Sequence, residues 1–124
     1  MAPMIEIGIS SRSYYSFDKK LLRERIKKFF RERGVGEVEV SVAVVGERKM
    51  RQLNRDFRDK DLASDVLAFP QNERPIEGGL LLLGDIVVCY PRAQKEALYF
   101  QETIDEAIWD FVEHGLGRIM EGDN

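Results

Sequence analysis

The chain has 124 residues, 44% hydrophobic and 33% charged, which is apolar enough for one globular domain and excludes a disordered tail. Its apolar runs, such as Leu80 to Leu83 with Ile86 to Val88 close by, fall far short of the roughly 20 residues that span a bilayer, so no membrane role is expected. Net charge is −3 but unevenly spread: residues 1–60 hold 15 Lys/Arg against 9 Asp/Glu, and residues 61–124 hold 4 against 13. That asymmetry leaves room for a basic, polyanion-facing surface on an acidic protein, or simply for solvated helix faces.

The N-terminal MAPMIEIG has no basic segment followed by an apolar one, so no secretory signal is expected. The single cysteine, Cys89, cannot form an internal disulfide and fits a reducing compartment, which points to the cytoplasm.

Met4 to Ile9 alternates apolar and polar residues as a short strand does. Ser16, Phe17 and Asp18 then precede KKLLRERIKKFFRERG, in which Leu22, Ile26, Phe29 and Phe30 share one helical face, the opposite side is strongly basic and Gly34 provides a stop. Glu37 to Val45 places Val38, Val40, Val42 and Val44 on one side of a half-buried strand ended by Gly46. Glu47 to Arg58 returns to helical spacing through Met50, Leu53, Asn54 and Phe57. A polar loop, DKDLAS, leads to a strand DVLAFP closed by Pro70. A loop of about ten residues, 71–80, precedes the nearly continuous apolar strand LLLLGDIVVCY, of the kind found inside a sheet. Pro91 opens a helical stretch from Arg92 to about Met120, with a break expected near Tyr99 to Thr103 because some thirty residues is long for one helix of a small domain. The order β-α-β-α-β-β-α predicts a single α+β domain, residues 1–124, whose small mixed sheet of about four strands is covered by helices.

Three stretches carry candidate chemistry. In LNRDFRDKDLASDVLAFP, Leu53 to Pro70, a helix ends in clustered charge: Arg55 and Arg58 offer planar forks of donors that match phosphate oxygens, while Ser64 and Asp65 equally suit a simple turn. In LGDIVV, Asp85 interrupts an apolar strand beside Gly84. Such a carboxylate either bonds a nearby backbone or basic group or marks a sheet irregularity next to a site. In HGLGRIMEGDN, the chain's only histidine, His114, shares a helical face with Asp110 and Arg118. On spacing alone it is a packing or hydrogen-bonding histidine, since the i+4 position that would complete a helical metal pair is an arginine.

Taken together, these stretches resemble the YbeY family of rRNA maturation factors, single-strand-specific, metal-dependent endoribonucleases. LNRDFRDKDLASDVLAFP resembles the family's L-N-x-x-[YF]-R-x-x-D-x-[PA]-[TS]-D-V-L-[SA]-F-P, LGDIVV resembles L-G-D-I-x-I, and HGLGRIMEGDN resembles H-G-x-x-H-x-x-G-x-D-H. The resemblance implies action on single-stranded RNA in rRNA processing, with rRNA and ribosome-associated proteins as partners. It implies Arg58 and His114 as catalytic residues and Arg55, Arg58 and Lys60 as RNA contacts, aided by the basic helix around Arg23 to Arg33.

The family's three histidines bind one zinc ion, and here, without a gap, the three places hold His114, Arg118 and Asn124, with Glu121 at the family's glycine unless the frame slips by one to Gly122. Asparagine is a weak neutral donor. A guanidinium about 4 Å from a divalent cation repels it by roughly 8 kcal/mol at an effective dielectric of 20. Zinc is therefore expected to bind weakly or not at all, with His114 as its one remaining ligand and with Arg118, salt-bridged to Asp110 or Asp123, standing in for the metal. If catalysis persists it is phosphodiester hydrolysis with His114 as lone general base. The alternative is a non-catalytic RNA- or ribosome-binding homologue.

Overall fold

The computed structural model describes residues 4–59, 64–73 and 81–121. Four strands, β1 (Met4–Ser11), β2 (Glu37–Val45), β3 (Val66–Glu73) and β4 (Leu81–Cys89), and four helices, α1 (Lys19–Glu32), α2 (Glu47–Arg58), α3 (Tyr90–Phe100) and α4 (Ile104–Glu121), follow one another as β-α-β-α-β-β-α-α. The sheet runs β1-β2-β4-β3. β1 pairs parallel to β2, β2 parallel to β4, and β3 antiparallel to β4. This is the expected mixed four-stranded α+β fold, and no helix among the described residues is long and apolar enough to cross a membrane.

The sheet has two unequal sides because β2 is read on a period of two. Val38, Val40, Val42 and Val44 are fully buried and pack with Leu22, Ile26, Phe29 and Phe30 of α1 and with Ile108, Val112, Leu116 and Ile119 of α4. Each such side chain contributes about 1.5–3 kcal/mol by leaving water, so this face holds the main core. On the reverse face a smaller cluster of Met50, Leu67, Val87 and Cys89 sits under α2 alone.

β4 crosses between these environments through a bulge. Pairing with β2 jumps from Glu39↔Leu82 to Val40↔Gly84, leaving Leu83 as an extra residue, and Gly84 adopts φ 138°. A Cβ there would sit 2.2 Å from the Phe69 carbonyl oxygen, so only glycine fits. Leu83 and Ile86, three apart, consequently both belong to the main core. An unbroken strand would put Asp85 on Leu83's side. The bulge turns it to the α2 face, where its carboxylate accepts hydrogen bonds from the Ser41 hydroxyl and, at 3.3 Å, from Gln71 Nε2. The sheet is irregular beside Asp85, as one reading of LGDIVV expected, but the carboxylate bonds a hydroxyl and a side-chain amide rather than the backbone or basic group of the other.

The expected break in the last helical stretch is a full stop. Gln101 takes the left-handed conformation at φ 54° and closes α3. α4 starts afresh on a capping box: Thr103 Oγ1 accepts from the Glu106 N–H at 3.1 Å, and the Glu106 carboxylate accepts from the Thr103 N–H at 3.0 Å. β3 also extends to Glu73, which shortens the loop expected over 71–80.

Candidate active site

The cleft of interest wraps around edge strand β3, drawing on helices from both faces of the sheet. Arg58 at the end of α2, Ser64 and Asp65 before β3, Arg92 in the first turn of α3, and His114 and Arg118 on α4 line a space of about 320 Å³.

Each wall is held locally. Asn54, wholly buried in α2, donates from Nδ2 to Ser64 Oγ at 2.9 Å, which fixes the segment entering β3 against the helix that carries Arg58. The Asp65 carbonyl accepts from the Cys89 N–H at 2.9 Å, and its carboxylate lies 3.7 Å from the Arg92 guanidinium. α4 lies close to β4 because Gly115 faces Ile86, where a Cβ would come within 3.0 Å of Cγ2. His114 and Arg118 flank that contact. Beneath the cleft, burial pushes the Cys89 thiol above its usual range, leaving a neutral, inert group.

Three guanidiniums, one imidazole and one carboxylate give the cleft a chemistry suited to an anion. Arginine forks suit phosphate oxygens, and the single carboxylate is engaged by Arg92. The same inventory does not suit zinc. Among the described residues no group of three His, Cys, Asp or Glu side chains converges as a ligand set, and His114 shares its cleft with the permanent cations of Arg58, Arg92 and Arg118. A divalent ion here meets one imidazole, one carboxylate already engaged by Arg92, and three like charges.

Of the expected site residues, Arg58, His114 and Arg118 are brought together with Ser64 and Asp65. Arg55 is exposed one turn before Arg58 and does not line the cleft. Lys60, Asp123 and Asn124 lie outside the described residues. Asp110 neighbours Glu102, whose carboxyl is pushed up first by burial and then by Asp110 itself. Asp85 belongs to the α2 face of the sheet, away from the cleft. The basic side of α1 flanks a different groove, where Arg25, Lys28 and Arg33 approach Trp109 and Glu113. Arg92 is the cleft residue the sequence reading missed. The signal was Pro91, which starts α3 at the end of β4 and so sets the next side chain at the sheet's carboxyl edge.

A family model described as endoribonuclease YbeY matches residues 8–120. An endoribonuclease YbeY of an Anaeromyxobacter species is 35% identical over 99 residues, 80% of this chain and 50% of that protein. The Persephonella marina protein of the same name is 30% identical, covering 85% of this chain and 69% of the relative, and that of Cellvibrio japonicus 35%, covering 94% and 65%. The chain thus spans between half and about two-thirds of the length of these relatives. The solution structure of TM1509 from Thermotoga maritima superposes with a TM-score of 0.57 at 29% identity, covering 91% of this chain and 69% of that one. By the match across residues 8–120, the chain belongs to the YbeY endoribonuclease family.

Proposed function

We propose that this chain acts on single-stranded RNA in rRNA maturation, as a YbeY-type phosphodiester-processing domain of the bacterial cytoplasm that works alongside ribosome-associated proteins. The observation that carries the reading is the convergence of Arg58, Arg92 and Arg118 around His114. The arginines hold the phosphodiester and offset the charge that builds on its oxygens during attack, and His114 moves the proton. Arg55 and Lys60 extend the grip along the strand. The donor set among the described residues does not fit zinc, so the chemistry falls to His114 and the arginines.

A second reading, RNA or ribosome binding without cleavage, is favoured by one specific observation: Arg118 lines the cleft on the helical turn after His114. The two readings separate in one assay. Purified protein is incubated with end-labelled single-stranded rRNA fragments, with and without chelator, alongside His114→Ala. Cleavage that survives chelation and is lost in His114→Ala supports the imidazole-only enzyme. Retention of the RNA without cleavage supports the binding module. Absence of both activity and salt-dependent binding overturns both readings.

A further inference from the structure

A second crevice lies at the opposite end of the sheet's carboxyl edge, and none of its residues lines the cleft. β1 and β2 are parallel neighbours, but the chain leaving β1 enters α1 on the main-core face, whereas the chain leaving β2 enters α2 on the reverse face. Where adjacent parallel strands send their connections to opposite sides, their carboxyl ends part and open a crevice, the habitual ligand site of open sheets. Here the crevice measures about 700 Å³, within the usual size of a small-molecule site.

Its walls combine charge with an aromatic platform. Arg12, Arg48 and Lys49 face it against one carboxylate, Glu47, and Glu47 is drawn to Lys95 at 3.7 Å. Tyr14, 70% exposed, stands edge-on to Tyr15 with centroids 4.9 Å apart. Tyr15 in turn stacks on Tyr90 at 4.5 Å and 20°, and the Tyr90 hydroxyl donates to the Ser16 carbonyl at 2.7 Å. An exposed ring on a braced stack, beside three cations, suits a ligand that is flat at one end and anionic at the other. Gly46 at the head of α2 keeps this packing tight, since a Cβ there would come 2.8 Å from the Tyr15 hydroxyl oxygen.

We propose that the crevice between β1 and β2 binds a nucleotide unit, its base on Tyr14 and its phosphate held by Arg12, Arg48 and Lys49. The chemistry is the same whether the unit is a free nucleoside monophosphate or part of an RNA strand.

The test is a titration of the full chain with AMP, followed by backbone NMR shifts, with ribose 5-phosphate as the base-free control. Saturable binding should shift residues 10–15 and 44–49 and be weakened about tenfold or more by Arg48→Ala/Lys49→Ala and by Tyr14→Ala. These side chains are exposed, so the variants should keep the fold, and the unperturbed remainder of the spectrum verifies it. Arg58→Ala should leave AMP affinity unchanged, which keeps the result independent of the cleft. Shifts centred on His114, an undiminished affinity in Arg48→Ala/Lys49→Ala, or ribose 5-phosphate binding as tightly as AMP overturns the proposal. In the Arg58→Ala background, displacement of AMP by a short uridine-rich RNA assigns the crevice to the RNA strand. AMP retained against that RNA assigns it to free nucleotide, and either result upholds the nucleotide chemistry.

Discussion

Asn54 Nδ2 donates to Ser64 Oγ at 2.9 Å, joining a wholly buried amide on α2 to the segment that enters β3 across ten residues of sequence. Removing it uncouples the helix carrying Arg58 from the strand carrying Asp65. Asn54→Ala should lose about 1–3 kcal/mol, the range for a buried polar group whose partners are stranded, measured from urea unfolding midpoints. Ser64→Ala should lose less. A double-mutant cycle should return a coupling of about 0.5–1.5 kcal/mol, and strictly additive losses would deny the bond a role.

The two glycines on α4 should respond with opposite sign. Gly117 has open space where a Cβ would go, so Gly117→Ala should stabilise by about 0.5–1 kcal/mol through helix propensity. At Gly115 a new methyl meets Ile86 Cγ2 at 3.0 Å and two more atoms of the same fully buried side chain, and crowding exceeds the propensity gain. A net loss of about 1 kcal/mol or more is expected, partly recovered by Ile86→Val. Thermal unfolding of the three variants and the double variant distinguishes these outcomes.

Gly84→Ala should be far more damaging. Its φ of 138° and the 2.2 Å approach to the Phe69 carbonyl leave no relaxed position for a methyl. A loss of at least about 3 kcal/mol is expected, and the Asp85 contact with Ser41 should be lost as the bulge straightens. Denaturant unfolding, with NMR of the Ser41 region, reports both.

Arg58→Ala should weaken binding to single-stranded RNA at every sequence tested. The plot of log affinity against log salt should flatten by about 0.7, the value of one phosphate contact on a single strand. Arg92→Ala should behave alike if both arginines hold phosphates. An unchanged slope with reduced affinity would instead indicate a collapsed cleft.

Cys89 should resist alkylation in the folded chain and react on unfolding. Its thiol is wholly buried and its pKa is raised by that burial, so the unfolded chain releases the proton first. Stability should hold below the ordinary thiol pKa of 9.0 and fall as the pH climbs past it. Reaction with a thiol reagent across urea concentrations should track the unfolded fraction, and rapid labelling of native protein would contradict the assigned burial.

Much of the fold was legible because its elements obey simple periods. The valines of β2 announce one buried face, and Leu22, Ile26, Phe29 and Phe30 announce the inner side of α1. Two features were legible as places but not as geometry. The stop between α3 and α4 is written in Thr103-Ile104-Asp105-Glu106, a capping box whose apolar neighbours continue the helical period and disguise it. The turn of Asp85 away from the core depends on one glycine conformation, which alternation cannot express. As for the site, motif positions drew attention to Arg58, His114 and Arg118, but Arg92 joins them only through the route of β4 into α3, a relation visible in three dimensions.

The cleft also has a consequence for synthesis. Arg58 comes from α2, Arg92 from α3, and both His114 and Arg118 from α4, the last described element of the chain. A nascent chain leaving the ribosome amino end first can close the sheet, and present Arg58 and Arg92, before α4 has emerged. The cleft is therefore completed in the same step as the main core, when α4 closes over the sheet. Chains without α4 hold Arg58, Ser64, Asp65 and Arg92 but neither His114 nor Arg118, and so lack one wall of the cleft.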